Sequence, residues 1–422
     1  MGLSLEGNVS PRVLAKVVYA GATASFPQAE EDLQHLADLS ISSERVRRAC
    51  HRVGDQRIAE HEAYQLAYES LSLPQQISGK RDDVDAPDIA CVMADGGRYQ
   101  QLDRGELNRA GGGKSQPSAR NKSARKGEHW KESRIGILLS LSGDSYDIDP
   151  QPQLPPELCY DAMAETLSEI GKTGAKLDVG VDNSDDDEVL TRDCGDGLVG
   201  PNLEQRDVVA SRMNWDEFGS LLASRAWQQG FASASRKVFV SDGSAAIEKL
   251  QRHHFSHYTS VLDILHALSY SLAAARAVTA DEMAARAKYD AWAAMIWAGR
   301  VEDVISELIA YGSKFGPPPP DTKSDDPREV VRVSRVYYEN HAARMNYPEY
   351  RRQGFPLTSS LMESTVKQVG RRVKGSEKYW SSRGGEAMLR LRGEYLSDNK
   401  PMQTHWSNYH QRATGHRAHA RC

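Results

Sequence analysis

Two aspartates that each close a short apolar run just before a glycine, and one glutamate far downstream, have the types and spacing for metal-assisted chemistry. Asp95 ends Asp88-Ile89-Ala90-Cys91-Val92-Met93-Ala94-Asp95-Gly96, and Asp242 ends Lys237-Val238-Phe239-Val240-Ser241-Asp242-Gly243. Glu363 lies in Gly354-Phe355-Pro356-Leu357-Thr358-Ser359-Ser360-Leu361-Met362-Glu363, at the start of a basic helix-forming stretch. Three carboxylates gathered from strand ends and a helix can hold divalent ions for phosphodiester chemistry. Hard oxygen donors select magnesium or manganese. In two-metal catalysis, ions roughly 3.5 to 4 Å apart activate the attacking oxygen and stabilise the leaving one. Each signal is weak alone, because an Asp-Gly pair after a strand is usually a turn and Glu363 is placed to pair with Lys367 one helical turn on.

Asp95 and Asp242 are 147 positions apart, and Asp242 and Glu363 are 121 apart, so only a folded sheet can unite them. Ile89 to Ala94 reads as a buried strand, with Arg98 to Leu102 returning after a turn at Asp95-Gly96-Gly97. Ile135 to Leu141 supplies a third strand, and the three suggest an antiparallel meander. Val208 to Phe231 reads as helical, followed by strand Val238 to Ser241, a short helix and strand Ser260 to Ile264. Ala267 to Tyr311 is Ala-rich and helical, and it breaks at Pro317-Pro318-Pro319-Pro320. Trp292 and Trp297 in that region either pack its core or stack on a flipped base. This order of elements matches an RNase-H-like mixed α/β sheet, with its first acid on the first strand, the second on the fourth and the third on a late helix.

The N-terminal part reads differently. Ser25-Phe26-Pro27-Gln28 is a capping box with proline in the first turn of a helix. A short turn leads to a second helix whose apolar face is Val46, Ala49, Cys50 and Val53 and whose other face carries Arg45, Arg47, Arg48 and Arg52, with Gly54 as its expected stop. The pair resembles a helix-turn-helix, in which the second helix enters the major groove of double-stranded DNA. After Pro356, Met362, Val366, Val369 and Val373 recur on one helix face while Glu363, Lys367, Arg371 and Lys374 line another. Arg372 and Lys378 extend the basic set, and all are expected to contact phosphates, which are read without regard to sequence.

Of the formal charge of −5, residues from Lys367 onward carry +8, which leaves −13 for the rest. Such a basic end fits a polyanionic partner. Arg104 to Glu128 reads as a mobile basic loop and Asp178 to Glu204 as an acidic surface excursion. The five cysteines are scattered, which argues against a zinc cluster or a disulfide framework. No apolar run reaches membrane-spanning length and the N-terminus does not read as a secretory signal, so a cytoplasmic, nucleoid-associated location is expected. The expected organisation is a DNA-binding α domain over 1–75, a catalytic core over 85–265, a helical insertion over 266–350, a region closing the core over 351–396, and a basic tail over 397–422.

Several segments together resemble the successive motifs of DDE transposases of bacterial insertion sequences, of the ISKra type. They are Ala94-Asp95-Gly96-Gly97-Arg98, Trp130-Lys131-Glu132, Val240-Ser241-Asp242-Gly243-Ser244, Leu262-Asp263-Ile264-Leu265-His266-Ala267, Arg344-Met345-Asn346-Tyr347, Gly354 to Ser364 and Arg371 to Trp380. The resemblance runs from about Leu3 to the C-terminus. It implies that Asp95, Asp242 and Glu363 bind Mg2+ or Mn2+, and that Asp263 and His266 form an auxiliary pair that shapes the site or handles DNA ends. It also implies DNA cleavage and joining at element ends by a homodimer or higher oligomer. Many relatives carry a cysteine-rich segment ahead of the part corresponding to Leu3. Without it, end recognition is expected to rest on the N-terminal helices and the basic C-terminal part. A catalytically decayed DNA-binding protein and an RNase-H-like nuclease without strand transfer are the alternative readings.

Overall fold

The computed structural model describes residues 9–102, 129–177, 198–375 and 378–414. The expected basic loop and most of the acidic excursion lie outside them. The chain is mixed α/β around one six-stranded sheet. Strands β1 (Ile89–Gln101), β2 (Trp130–Ser142) and β3 (Asn202–Ser211) form an antiparallel meander. On the other side of β1, β4 (Arg236–Ser241) and β5 (Thr259–Leu262) run parallel to it, which gives the order β3-β2-β1-β4-β5. The two-residue β6 (Tyr379–Trp380) pairs with the far end of β1.

The expected turn at Asp95-Gly96-Gly97 is absent, because β1 continues through it and its pairing with β2 is unbroken from Ile89 to Gln100. Likewise the start of the expected helix at Val208 belongs to β3, and the helix α6 (Trp215–Gln228) begins only after the Asn214 capping box.

Alternation along β1 sorts its side chains between two cores. Ala90, Val92 and Ala94 face one layer, where Phe218, Leu221 and Leu222 of α6 and Ile247 and Leu250 of α7 (Ala245–His254) cover the sheet. Ile89, Cys91, Met93 and Tyr99 face the larger core. That core is shared with α8 (Ile264–Val278), α9 (Glu282–Trp297), α10 (Val301–Phe315) and α11 (Pro327–His341), and with α13 (Ser360–Val373) and α14 (Ser382–Leu396). Helix α5 (Tyr160–Leu177) packs on α8, and the short α12 (Tyr347–Arg352) precedes the Gly354 bend. Trp292 and Trp297 are buried in this layer, with indole N–H groups donating to Glu307 and to the Gln151 carbonyl. They are core, not base-stacking platforms.

The N-terminal helices α1 (Pro11–Thr23), α2 (Phe26–Ala37) and α3 (Ser43–Glu69) join that same core, as does α15 (Pro401–Thr414). The short α4 (Leu73–Ser78) follows. Gly54 does not stop α3, which is 27 residues long. It is where α14 crosses, and a Cβ there would sit 2.6 Å from that of Ala387. Three residues on, buried Arg57 donates from Nε and Nη2 to buried Glu394 of α14 at 2.9 to 3.0 Å. Burial would raise Glu394, but His61 and Arg57 hold it near 2, so it stays ionised. Among the described residues no helix is long and apolar enough to cross a membrane, and Cys50, Cys91 and Cys159 are free thiols.

Candidate active site

The site is built where β4 ends beside the middle of β1, the two central parallel strands. Met93 of β1 pairs with Val240 of β4. Two residues further along that register, Asp95 comes beside Asp242. Asp95 shares the face of Met93 and Tyr99, so it points into the layer that holds α13. Gly97 lets that helix approach: a Cβ there would lie 3.7 Å from Val366 Cγ1 and 2.8 Å from Ser133 Oγ. Glu363 precedes Val366 by about one helical turn and is partly buried on the same helix.

Asp95 and Asp242 are each held by one backbone donor. The Gly96 N–H donates to Asp95 Oδ1 at 2.6 Å and the Ser244 N–H to Asp242 Oδ1 at 2.9 Å. The second contact closes an Asx turn that leaves Gly243 at φ +96°, a conformation suited to glycine.

Asp263 is 1 % exposed and links three elements. Its N–H donates to the Ser241 carbonyl at 2.8 Å, beside Asp242. Its Oδ1 caps α8 by accepting from Leu265 N at 2.7 Å. Its Oδ2 accepts from the N–H of Ser359 at 2.8 Å and from the Ser359 hydroxyl, at the residue that caps α13. The strand expected over Ser260 to Ile264 therefore ends at Leu262, because Asp263 starts a helix. His266 Nδ1 lies 3.4 Å from Asp263 Oδ2, an ion pair without the alignment of a hydrogen bond.

The electrostatics tie the five groups together. Burial and then the Asp242 carboxylate raise Asp95 to about 7, with Glu363 adding to the effect. Burial, then Asp263 and Asp242, raise Glu363. Burial would lower His266, but Asp263, Asp242 and Glu363 outweigh it and raise the imidazole to about 9. At neutral pH His266 is therefore a cation set among acids. Among the described residues no three acidic, His or Cys side chains lie close enough to form a coordination shell. Burial first, and repulsion among the neighbouring carboxylates second, raise Asp95 and Glu363. A set of hard oxygens with mutual repulsion has the donor chemistry of a magnesium or manganese site.

The basic residues separate into two groups. Arg371 of α13 and Lys374 just past its end are exposed and Lys367 is partly exposed, so a cationic stripe leads away from Glu363. Lys378 is partly buried and donates to the Arg371 carbonyl at 3.0 Å. Arg372 does not belong to that stripe. It is 3 % exposed, donates from Nε to the Gly21 carbonyl at 2.9 Å, and lies 4.6 and 4.9 Å from the ring centres of Phe26 and Trp380. Its place on the helix explains this, since Thr365, Val369 and Arg372 fall on one buried line. Arg372→Ala is expected to cost about 2 to 3 kcal/mol in urea unfolding, through lost cation–π contacts and an unsatisfied carbonyl. Unchanged stability with weakened DNA binding would return Arg372 to the phosphate-contacting set.

On α3, Arg47 and Arg48 both pair with Glu44, at 2.7 and 3.0 Å, and Arg45 and Arg52 are partly exposed. Arg48, His51, Arg52 and Asp55 line an open cleft of about 530 Å³ with Arg383 of α14. The Arg-bearing face is thus available to solvent, while the opposite face is packed on the protein. No protein-family model and no curated protein matches the chain.

Proposed function

We propose that the chain is a DDE-type DNA transposase with an RNase-H-like catalytic core, acting on double-stranded DNA at insertion-sequence ends. One observation carries the reading: the β1–β4 register brings Asp95 beside Asp242, and α13 crosses β1 at Gly97 with Glu363 one turn away. The first acid on the central strand, the second after the parallel fourth strand and the third on a late helix are the order an RNase-H-like core requires.

Asp95, Asp242 and Glu363 would hold the divalent ions, which when bound activate the attacking oxygen and stabilise the leaving one. The chain's own residues do the rest. Asp263 fixes the start of α13 against the end of β4, so two acids borne by different elements keep a common geometry. The His266 cation lies among these acids and offers positive charge to an incoming phosphate. Lys367, Arg371 and Lys374 hold the DNA backbone along α13, and Arg45, Arg47, Arg48 and Arg52 face DNA from the start of α3 as the reading helix of a helix-turn-helix-like unit.

The test is incubation with magnesium and duplex DNA taken from the flanks of the gene, with strand cleavage and joining followed on gels. Cleavage and joining by the parent, both lost in Asp242→Asn, are the expected result. Cleavage without joining would assign an RNase-H-like nuclease. Binding without cleavage by the parent would assign a decayed DNA-binding copy.

A further inference from the structure

We propose that Tyr337, His341 and Arg344, from the helical region between β5 and α13, form a clamp that positions the Asp242 turn. The proposal deepens the reading of Asp242 as a metal-holding acid and rests on it. The Tyr337 hydroxyl donates to the backbone carbonyl of Asp242 at 3.0 Å. That ring is itself fixed, stacked on Tyr270 at 3.8 Å and edge-on to His341 at 4.6 Å. The His341 imidazole closes over Gly243 so tightly that a Cβ there would come within 2.9 Å of Nε2. Arg344, in the 3-10 turn Ala342–Arg344, reaches Ser241 Oγ at 3.3 Å. Its Nη2 donates to Glu248 on α7 and, at 2.6 Å, to His341 Nδ1.

Three successive residues, Ser241 to Gly243, are thus gripped by side chains about 95 to 103 positions downstream. Every partner has a defined role. His341 Nδ1 lies 2.6 Å from Arg344 Nη2 and 3.1 Å from Glu248 Oε1, and burial and Arg344 lower the imidazole to about 4, so the ring is neutral. Glu248 balances the Arg344 charge, so the clamp brings geometry to Asp242 rather than net charge. The three act through Asp242 and are positioning residues, as the hydrogen-bonded shell around a metal ligand is in general.

Tyr337→Phe removes a single hydroxyl and Arg344→Gln removes the charge, while Arg344→Lys keeps it. Three quantities are measured on the full chain: Mn2+ affinity by calorimetry, magnesium-dependent cleavage kinetics, and hydrogen exchange at the Ser244 amide that closes the Asx turn. Loss of the clamp is expected to weaken Mn2+ binding by about tenfold. Cleavage should fall at limiting metal and recover at high metal, with KM for DNA unchanged and Ser244 exchanging faster. Arg344→Lys should recover part of the loss. A purely structural role would lower the melting temperature without a metal-dependent recovery. Parent-like Mn2+ affinity and parent-like Ser244 protection in both Tyr337→Phe and Arg344→Gln would overturn the clamp. If instead Asp242→Asn binds Mn2+ as well as the parent does, the metal-holding reading of Asp242 fails, and Ser244 exchange still judges the clamp.

Discussion

Glu363→Gln is expected to leave DNA binding intact and to lower magnesium-dependent cleavage by about a hundredfold or more. The amide keeps the size of the side chain and the helix around it, since the Glu363 N–H already donates to the Ser359 carbonyl and Asp263 pins Ser359 independently. What disappears is the charge that a divalent ion requires from its third carboxylate. An error of about one ångström in the placement of reacting groups can by itself cost about a hundredfold in rate. Lys367→Ala, one turn further along the same helix, should do the reverse. It should weaken binding modestly and flatten its salt dependence by about one phosphate contact, with the rate of bound complex preserved. Gel shifts at several salt concentrations and single-turnover cleavage separate the two effects. A Glu363→Gln protein that nicks DNA at the parent rate would make Glu363 an ordinary helix-surface residue.

The parts of the site that the sequence made legible are those written in local chemistry. The apolar runs before Asp95 and Asp242 are the central strands, and the 3.6-residue recurrence of Met362, Val366, Val369 and Val373 is the buried face of α13. Two of the misreadings share one cause. Glycine serves both to turn a chain and to admit a neighbour, and only the neighbour distinguishes the two. At Gly54 the neighbour is Ala387, and at Gly97 it is Ser133 with Val366, so both positions continue their elements instead of ending them. Arg372 misleads in the same way, because its charge says surface while its place on the line of Thr365 and Val369 says core. That line is a periodicity signal available in the sequence. The clamp on Asp242 had no such signal, since nothing in the spacing of Tyr337, His341 and Arg344 points to a strand end so far upstream. Only the packing of the helical region against the sheet joins them.

Divalent-ion binding is expected to be strongly pH-dependent between about pH 5.5 and 7.5, with affinity falling about tenfold per unit below pH 7. The cause is Asp95, which burial and the Asp242 carboxylate raise to about 7. The sign follows from the proton. A carboxyl raised in the fold binds protons more tightly there than in the unfolded chain, so its ionisation opposes folding as pH rises from the ordinary carboxylate range to about 7. A divalent ion favours the ionised form and must displace that proton, so binding at pH 6.5 should release it into the buffer. His266 sets the other limb. Raised to about 9 by Asp263, Asp242 and Glu363 against the effect of burial, it contributes stability that is complete below its ordinary value near 6.5 and lost as pH rises through 9. Cleavage against pH should accordingly be bell-shaped, rising as Asp95 ionises and falling as His266 loses its charge. Excess metal should move both limbs to lower pH, because the ion displaces the Asp95 proton and offsets the Asp242 and Glu363 charge that raises His266. Calorimetry of Mn2+ binding in two buffers of different ionisation enthalpy counts the protons released. Asp95→Asn should remove most of that release at pH 6.5 while the His266 limb, followed by the imidazole resonances in NMR, stays near its parent position. Mn2+ affinity that is flat from pH 5.5 to 7.5 in the parent would show that Asp95 is not among the ligands, and the carboxylate pairing of β1 with β4 would then be a structural feature alone.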